Sequence, residues 1–221
     1  MEFKTAIFDM DGTLVDSLSV WKYVWAGLGK KYYNDESFYP KLEDDKAVRT
    51  FSLVDGMSYI FGRYDMGDSL EELIKTAGDI IADFYKDKVG LKTGAKEFLD
   101  YCQQKGVKMC IASASTPDLV ENSLKRFGID KYFIKTFSCS VLGKSKDKPD
   151  IYLLAAKELG STPEQTFVFE DSLTAIETAS KIGMKTVGIY DVNNYGHDEM
   201  KALSDYYIAD GEDLTKLIGV I

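Results

Sequence analysis

The sequence predicts an α/β fold, a parallel sheet with helices on both faces, interrupted once by an all-helical insertion. Three observations carry this. Short apolar runs recur along the chain, segments of helical period separate them, and one long stretch, 17–88, contains helical patterns only.

The first run, KTAIFD (Lys4–Asp9), is mostly apolar and bounded by polar residues, as expected of a short strand buried on both faces. After it the alternation breaks. Residues 17–88 are expected to form a helical cap domain inserted into a core made of 1–16 and 89–221. Its clearest helix is SLEELIKTAGDIIADFYKDK (Ser69–Lys88), and its most acidic stretch, YNDESFYPKLEDDKAV (Tyr33–Val48), is expected to be a solvated loop or helix face. Asp16 and Val89–Gly94 would be the two linkers, with Gly90 and Gly94 as hinge points. A helix then opens near Thr93, in GAKEFLDYCQQKG. Strand and helix alternate from there: MCIAS (Met109–Ser113), PDLVENSLKRFG, PDIYLLAAKELG, TFVFED (Thr166–Asp171) and KTVGIY (Lys185–Tyr190). Each helical segment has apolar residues three and four apart and a Gly near its end.

Composition narrows the function classes. A hydrophobic share of 45% over 221 residues supports a sizeable core, and no apolar run is long enough to span a bilayer. The net charge of −9 argues against nucleic acid and anionic membranes as partners. MEFKTAIFD does not look like a secretory signal, so a cytoplasmic location is expected. Cys102, Cys110 and Cys139 are odd in number and scattered, which suits reduced thiols and suggests neither disulfides nor a zinc site. A monomer is the default expectation.

The chemistry is concentrated in carboxylates. In an open α/β sheet, ligands sit beyond the carboxyl ends of the strands. Asp9, Ser113, Glu170 and Asp171 all fall at such ends, so a parallel sheet gathers them at one edge although they lie far apart in the chain. A lone DxD in an acidic chain is usually solvated. Here both acidic groups directly follow apolar runs, and carboxylates clustered near a core are costly without a cation. A hard divalent ion, Mg²⁺, is the natural compensator. Asp9 could then attack phosphorus directly, and Asp11 could protonate the leaving oxygen and later deprotonate water. Gly12 would permit the tight turn that brings Asp11 back over the site. Ser113 and backbone amides near Ala114 could donate to phosphoryl oxygens, and a lysine from GKSKDKPD (Lys144, Lys146 or Lys148) could neutralise them.

DMDGT (Asp9–Thr13), IASAS with Ser113, a lysine before PDIY, and FVFEDS with Glu170 and Asp171 resemble the four ordered motifs of haloacid dehalogenase-like hydrolases. The resemblance runs from Ile7 to about Gly188 and implies a Rossmann-like core with a helical cap of the β-phosphoglucomutase and phosphoglycolate phosphatase type. It implies Asp9 as nucleophile and metal ligand, and Asp11 as general acid/base with its carbonyl on the metal. Ser113 would bind phosphate, and Glu170 and Asp171 would complete the Mg²⁺ site. The family's lysine stands three residues before the Pro of PDIY, which selects Lys146. Asp11 favours phosphoryl over halide chemistry. The mutase branch has a histidine where this chain has Trp21, and the one histidine, His197, lies in NNYGHDE, expected at the surface. The expectation is therefore a phosphatase acting on a small phosphorylated metabolite, a sugar phosphate first. A hexose-phosphate mutase is the alternative, and a non-catalytic phosphometabolite-binding protein the third. Substrate choice would lie in the cap, where Trp21, Tyr23 and Trp25 read as cap core and Arg49 as a member of a surface ion pair.

Overall fold

The first apolar run becomes β1 (Thr5–Phe8), every residue of it buried. The computed structural model describes residues 3–49 and 51–221, which divide into two units: Met1–Asp16 with Gly90–Ile221, and Ser17–Val89. Val89 thus belongs with the helical unit, one residue beyond the expected boundary.

In chain order β1 is followed by β2 (Val15–Asp16) and then by the four helices of the insertion. These are α1 (Val20–Tyr33), α2 (Leu42–Val48), α3 (Leu53–Phe61) and α4 (Leu70–Asp87). The core resumes with β3 (Gly90–Leu91), α5 (Ala95–Gln104), β4 (Lys108–Ser113), α6 (Pro117–Phe127), β5 (Phe133–Ser138) and α7 (Cys139–Leu142). It ends with α8 (Asp150–Leu159), β6 (Thr166–Glu170), α9 (Leu173–Lys181), β7 (Lys185–Ile189), α10 (His197–Leu203) and β8 (Tyr206–Ile208).

The six-stranded sheet has the order β5-β4-β1-β6-β7-β8, and all its pairings are parallel. Alternation along the strands sends neighbouring residues to opposite faces. Ile7, Cys110, Ala112 and Val168 pack with Tyr152 and Ala155 of α8 and with Ala175 and Ala179 of α9. On the other face Phe8 and Phe169 stack with centroids 4.3 Å apart, and Phe98 of α5 lies 6.3 Å and 5.5 Å from them. Helices therefore cover both faces, as the buried apolar strands require.

The sequence reading passed over two strands, β5 and β8. Both are sheet edges, and each is only partly buried. An edge strand needs no continuous apolar run, so FIKTFS and YYI carry a weak signal. The linkers also pair: Val15 opposes Leu91, Asp16 opposes Gly90, and Lys92 N–H donates to Leu14 O at 2.9 Å. Gly94 is no bare pivot. It caps α5 with φ of +73°, and a Cβ there would stand 2.5 Å from Asp213 Oδ1.

In the helical unit α4 packs against α1 and α3. It begins with a side-chain N-cap, Ser69 Oγ accepting from Glu72 N–H at 3.2 Å. The acidic stretch departs from expectation, since α2 buries Asp44 and Asp45. Asp45 Oδ1 accepts from Trp25 Nε1 at 2.7 Å and Oδ2 from Arg49 Nε at 2.9 Å. Asp44 accepts from Tyr59 at 2.8 Å and Tyr64 at 2.6 Å. Arg49 is accordingly no surface partner; its side chain is 10% exposed. Donors from Trp25, Arg49, Tyr59 and Tyr64 allow Asp44 and Asp45 to be buried, while Asp35, Glu36 and Glu43 of the same stretch are exposed as expected. Trp25 is buried, whereas Tyr23 is exposed.

Cys102, Cys110 and Cys139 are buried and unpaired. No helix among the described residues is long and apolar enough to cross a membrane.

Candidate active site

The parallel register gathers the carboxyl ends of three strands. Phe8 pairs with Ile111 on β4 and with Phe169 on β6, so the chain beyond each strand leaves the sheet at one edge. Asp9 follows β1 directly, and its N–H donates to Phe169 O at 2.9 Å. Glu170 closes β6, Asp171 follows it, and Ser113 closes β4. Asp9, Glu170 and Asp171 are buried, and each offers a carboxylate oxygen within 4.8 Å of the others.

Lys146, in the loop before α8, reaches into this cluster. Its Nζ donates to Asp9 Oδ1 and, at 2.5 Å, to Glu170 Oε1, with 12% of the side chain exposed. The other two lysines of the segment turn outward: Lys144 pairs with Asp150 and Lys148 with Asp147, both more than half exposed. Burial disfavours the Lys146 cation, but Asp9 and Glu170 outweigh it and raise its pKa, so it stays charged.

One cation among three carboxylates leaves an excess of negative charge. Burial pushes the Asp9 carboxyl well above the usual range; Lys146 opposes the shift, and Glu170, Asp171 and Asp11 add to it. Burial likewise lifts Asp171 to about 7, with Glu170 adding to the shift and Lys92 and Lys146 opposing it. Such a site favours a hard cation over two protons, because a divalent ion reverses the local pKa logic. Three carboxylate oxygens in mutual reach fit Mg²⁺.

Asp11 stands apart from the triad. Gly12 takes φ of +81°, and its N–H donates to Val15 O at 2.8 Å, which bends the chain after Asp9. Asp11 Oδ2 accepts from Ser115 Oγ at 2.7 Å, and Ser115 N–H donates to Ser113 Oγ at 3.0 Å. Ser115 therefore ties Asp11 to the loop carrying Ser113 and the exposed Ala114. That loop leads into α6, an eleven-residue helix with Pro117 in its first turn, whose N-terminal dipole favours an anion nearby.

Several residues here went unassigned in the sequence reading. Thr13 Oγ1 donates to Asp171 Oδ1 at 3.2 Å, and Asn194 Nδ2 donates to Asp171 Oδ2 at 2.7 Å and to its carbonyl at 2.9 Å. Asn194 sits in a turn held by Asp191, whose carboxylate accepts from Asn193 N–H at 2.8 Å and pairs with Lys92 at 2.7 Å. Tyr152 donates to Glu170 Oε1 at 2.9 Å. NNYGHDE looks like a surface loop by composition; its place after β7, at the ligand edge of the sheet, was the available clue. His197 is half-buried rather than superficial, its ring 4.4 Å from that of Tyr190.

Comparison with known proteins bears on the same residues. Over 185 residues the chain is 25% identical to a phosphorylated carbohydrates phosphatase of Thermotoga maritima, covering 83% of each. It is 28% identical over 214 residues to hexitol phosphatase B of Escherichia coli K12, covering 95% of this chain and 93% of that one. CbbY of Rhodobacter sphaeroides, solved with phosphate, shares the fold at a TM-score of 0.79 and 17% identity, over 94% of each chain. The model of haloacid dehalogenase-like hydrolases matches residues 3–183, across every carboxylate of the cluster and Lys146, and the chain belongs to that family of enzymes.

Proposed function

We propose that this enzyme is a Mg²⁺-dependent phosphatase for a small phosphorylated metabolite, a sugar phosphate first, working through an aspartyl-phosphate on Asp9. The observation behind this is the meeting of Asp9, Glu170 and Asp171 with one lysine, whose charge leaves the cluster short of positive charge. The relatives' names support the substrate class, one being named for phosphorylated carbohydrates and the other for a hexitol.

In this reading an Asp9 carboxylate oxygen attacks phosphorus, the bond to the ester oxygen breaks, and Asp11 gives its proton to the departing oxygen. Water then attacks the phosphorus of the acyl phosphate while Asp11 takes its proton. The bond to Asp9 breaks, and inorganic phosphate leaves. Ser113 Oγ and the Ala114 amide donate to the phosphoryl oxygens, and Lys146 neutralises them. Asp9, Glu170, Asp171 and the Asp11 carbonyl would hold the ion. When bound, Mg²⁺ supplies charge stabilisation for the phosphoryl group. The helical unit is assigned the role of cap and substrate selector, and the protein is taken as a cytoplasmic monomer.

The test is phosphate release by the purified protein from a panel of sugar phosphates and other phosphomonoesters, with Mg²⁺ or with chelator. Metal-dependent release concentrated on a few related esters is expected. Isomerised sugar phosphate in place of free phosphate would make the enzyme a mutase. Tight binding without turnover under any metal would make the chain a binding protein.

A further inference from the structure

We propose that Tyr152 is a positioning residue for the cation, its hydroxyl fixing the orientation of the Glu170 carboxylate within the acidic triad. The inference rests on the reading that Asp9, Glu170 and Asp171 hold a divalent ion.

Tyr152 lies in the first turn of α8 and is fully buried. Its surroundings are apolar: Ile7, Cys110, Ala112, Ala155 and Val168 belong to the same cluster. A phenylalanine would fill that space without a polar atom, whereas a phenol buried there is costly unless its hydroxyl is bonded. The bond it makes is to Glu170 Oε1, at 2.9 Å.

Glu170 Oε1 also accepts from Lys146 Nζ at 2.5 Å, so both donors converge on one oxygen. Two donors on Oε1, from different segments of the chain, set the carboxylate plane. The two donors differ in kind. Lys146 carries charge that repels a cation and that a phosphoryl group would attract, whereas Tyr152 is neutral and sits on a helix packed under the sheet. Tyr152 therefore holds Glu170 in place when Lys146 turns to substrate. Outer partners of metal ligands commonly act in this way.

The test titrates metal-free protein with Mn²⁺, reading free Mn²⁺ by electron paramagnetic resonance, with Mg²⁺ as competitor. Wild type binds, and Asp171→Asn abolishes binding. Tyr152→Phe is expected to bind about 10-fold more weakly. Its turnover at saturating Mg²⁺ should return to within about threefold of wild type, because the lost interaction acts through metal affinity. Tyr152→Leu, which also lacks the hydroxyl, should weaken Mn²⁺ binding at least as much, and serves if the Phe variant folds poorly. Tyr59→Phe, which removes a tyrosine–carboxylate bond in the helical unit, should leave Mn²⁺ affinity unchanged. Wild-type affinity in Tyr152→Phe would overturn the role of the hydroxyl while leaving the metal site standing. Absence of Mn²⁺ binding in wild type, or wild-type binding in Asp171→Asn, would overturn the metal reading and this inference with it.

Discussion

The helical unit and the core each bury a group of carboxylates, and they satisfy them in opposite ways. In the helical unit, Asp44 accepts from Tyr59 and Tyr64, and Asp45 from Trp25 and Arg49, with Arg63 3.5 Å from Asp44. Every carboxylate oxygen of that pair has a donor from the unit itself. In the core, among the described residues, Lys146 is the cation bonded to Asp9 and Glu170, and the side-chain donors Tyr152, to Glu170, and Thr13 and Asn194, to Asp171, are neutral. Neutral donors orient a carboxylate without cancelling its charge. A buried acid is therefore no sign of a metal site by itself. The distinction lies in whether nearby cations match the acids in number, as Arg49 and Arg63 do at α2, or fall short, as Lys146 does among the three carboxylates at the ends of β1 and β6.

The largest effect should come from removing the group assigned the chemistry. Asp9→Asn is expected to lower phosphate release by at least about 10⁴-fold while circular dichroism and the melting temperature show a folded protein. Turnover near the wild-type rate would remove Asp9 as nucleophile and blur the contrast between the two clusters.

In the helical unit the corresponding change should register as lost stability. Asp45→Ala leaves Arg49 and Trp25 without their buried acceptor, and urea denaturation should show a loss of about 3 kcal/mol. An unchanged midpoint would mean that the pair contributes only orientation there.

Mg²⁺ sharpens the comparison from the ligand side. At a hundredfold excess over its dissociation constant it should stabilise the wild-type protein by about 2.7 kcal/mol, read as a rise in melting temperature over the chelated protein. Asp171→Asn should erase that rise. Persistence of the rise in the variant would place the ion elsewhere.

The smallest effect concerns pH. The hydroxyls of Tyr64 and then Tyr59 hold the Asp44 carboxyl below its usual range. A depressed carboxylate stabilises the fold above its unfolded value, about 3.9, and that contribution is lost as pH falls through the folded value. Tyr64→Phe should cost about 1.5 kcal/mol near pH 7, and the gap to wild type should narrow below pH 4. A gap independent of pH would show that the Tyr64 hydroxyl acts through the bond it accepts from Lys41 N–H, at 2.8 Å, and not through Asp44.

How much of this was legible in the sequence varies with the physical signal. Strands β1, β4, β6 and β7 are buried on both faces and announce themselves as apolar runs, while β5 and β8 pay no penalty for polar residues at an edge and pass unnoticed. DMDGT and FVFEDS lie at strand ends and could be gathered by topology alone. Tyr152 reads as one more apolar position of α8, because helical spacing says nothing of a hydroxyl's partner. Asn194 lies in a polar loop, and polarity does not reveal that a side chain turns inward.

By itself the sequence determined the buried strands and the helices between them, that an all-helical stretch interrupts them, and that acidic groups end the first strand and the later one. Those features depend on local periodicity and on the order of residues along the chain. Tertiary structure decided which acids are balanced and which are left in excess. Lys146 meets Asp9 across 137 residues of chain, Asn194 meets Asp171 across 23, and Arg49 and Trp25 close on Asp45 from either side of it in sequence. Hydrogen-bond donors reach a buried carboxylate through space, so its charge balance exists only once the chain has folded.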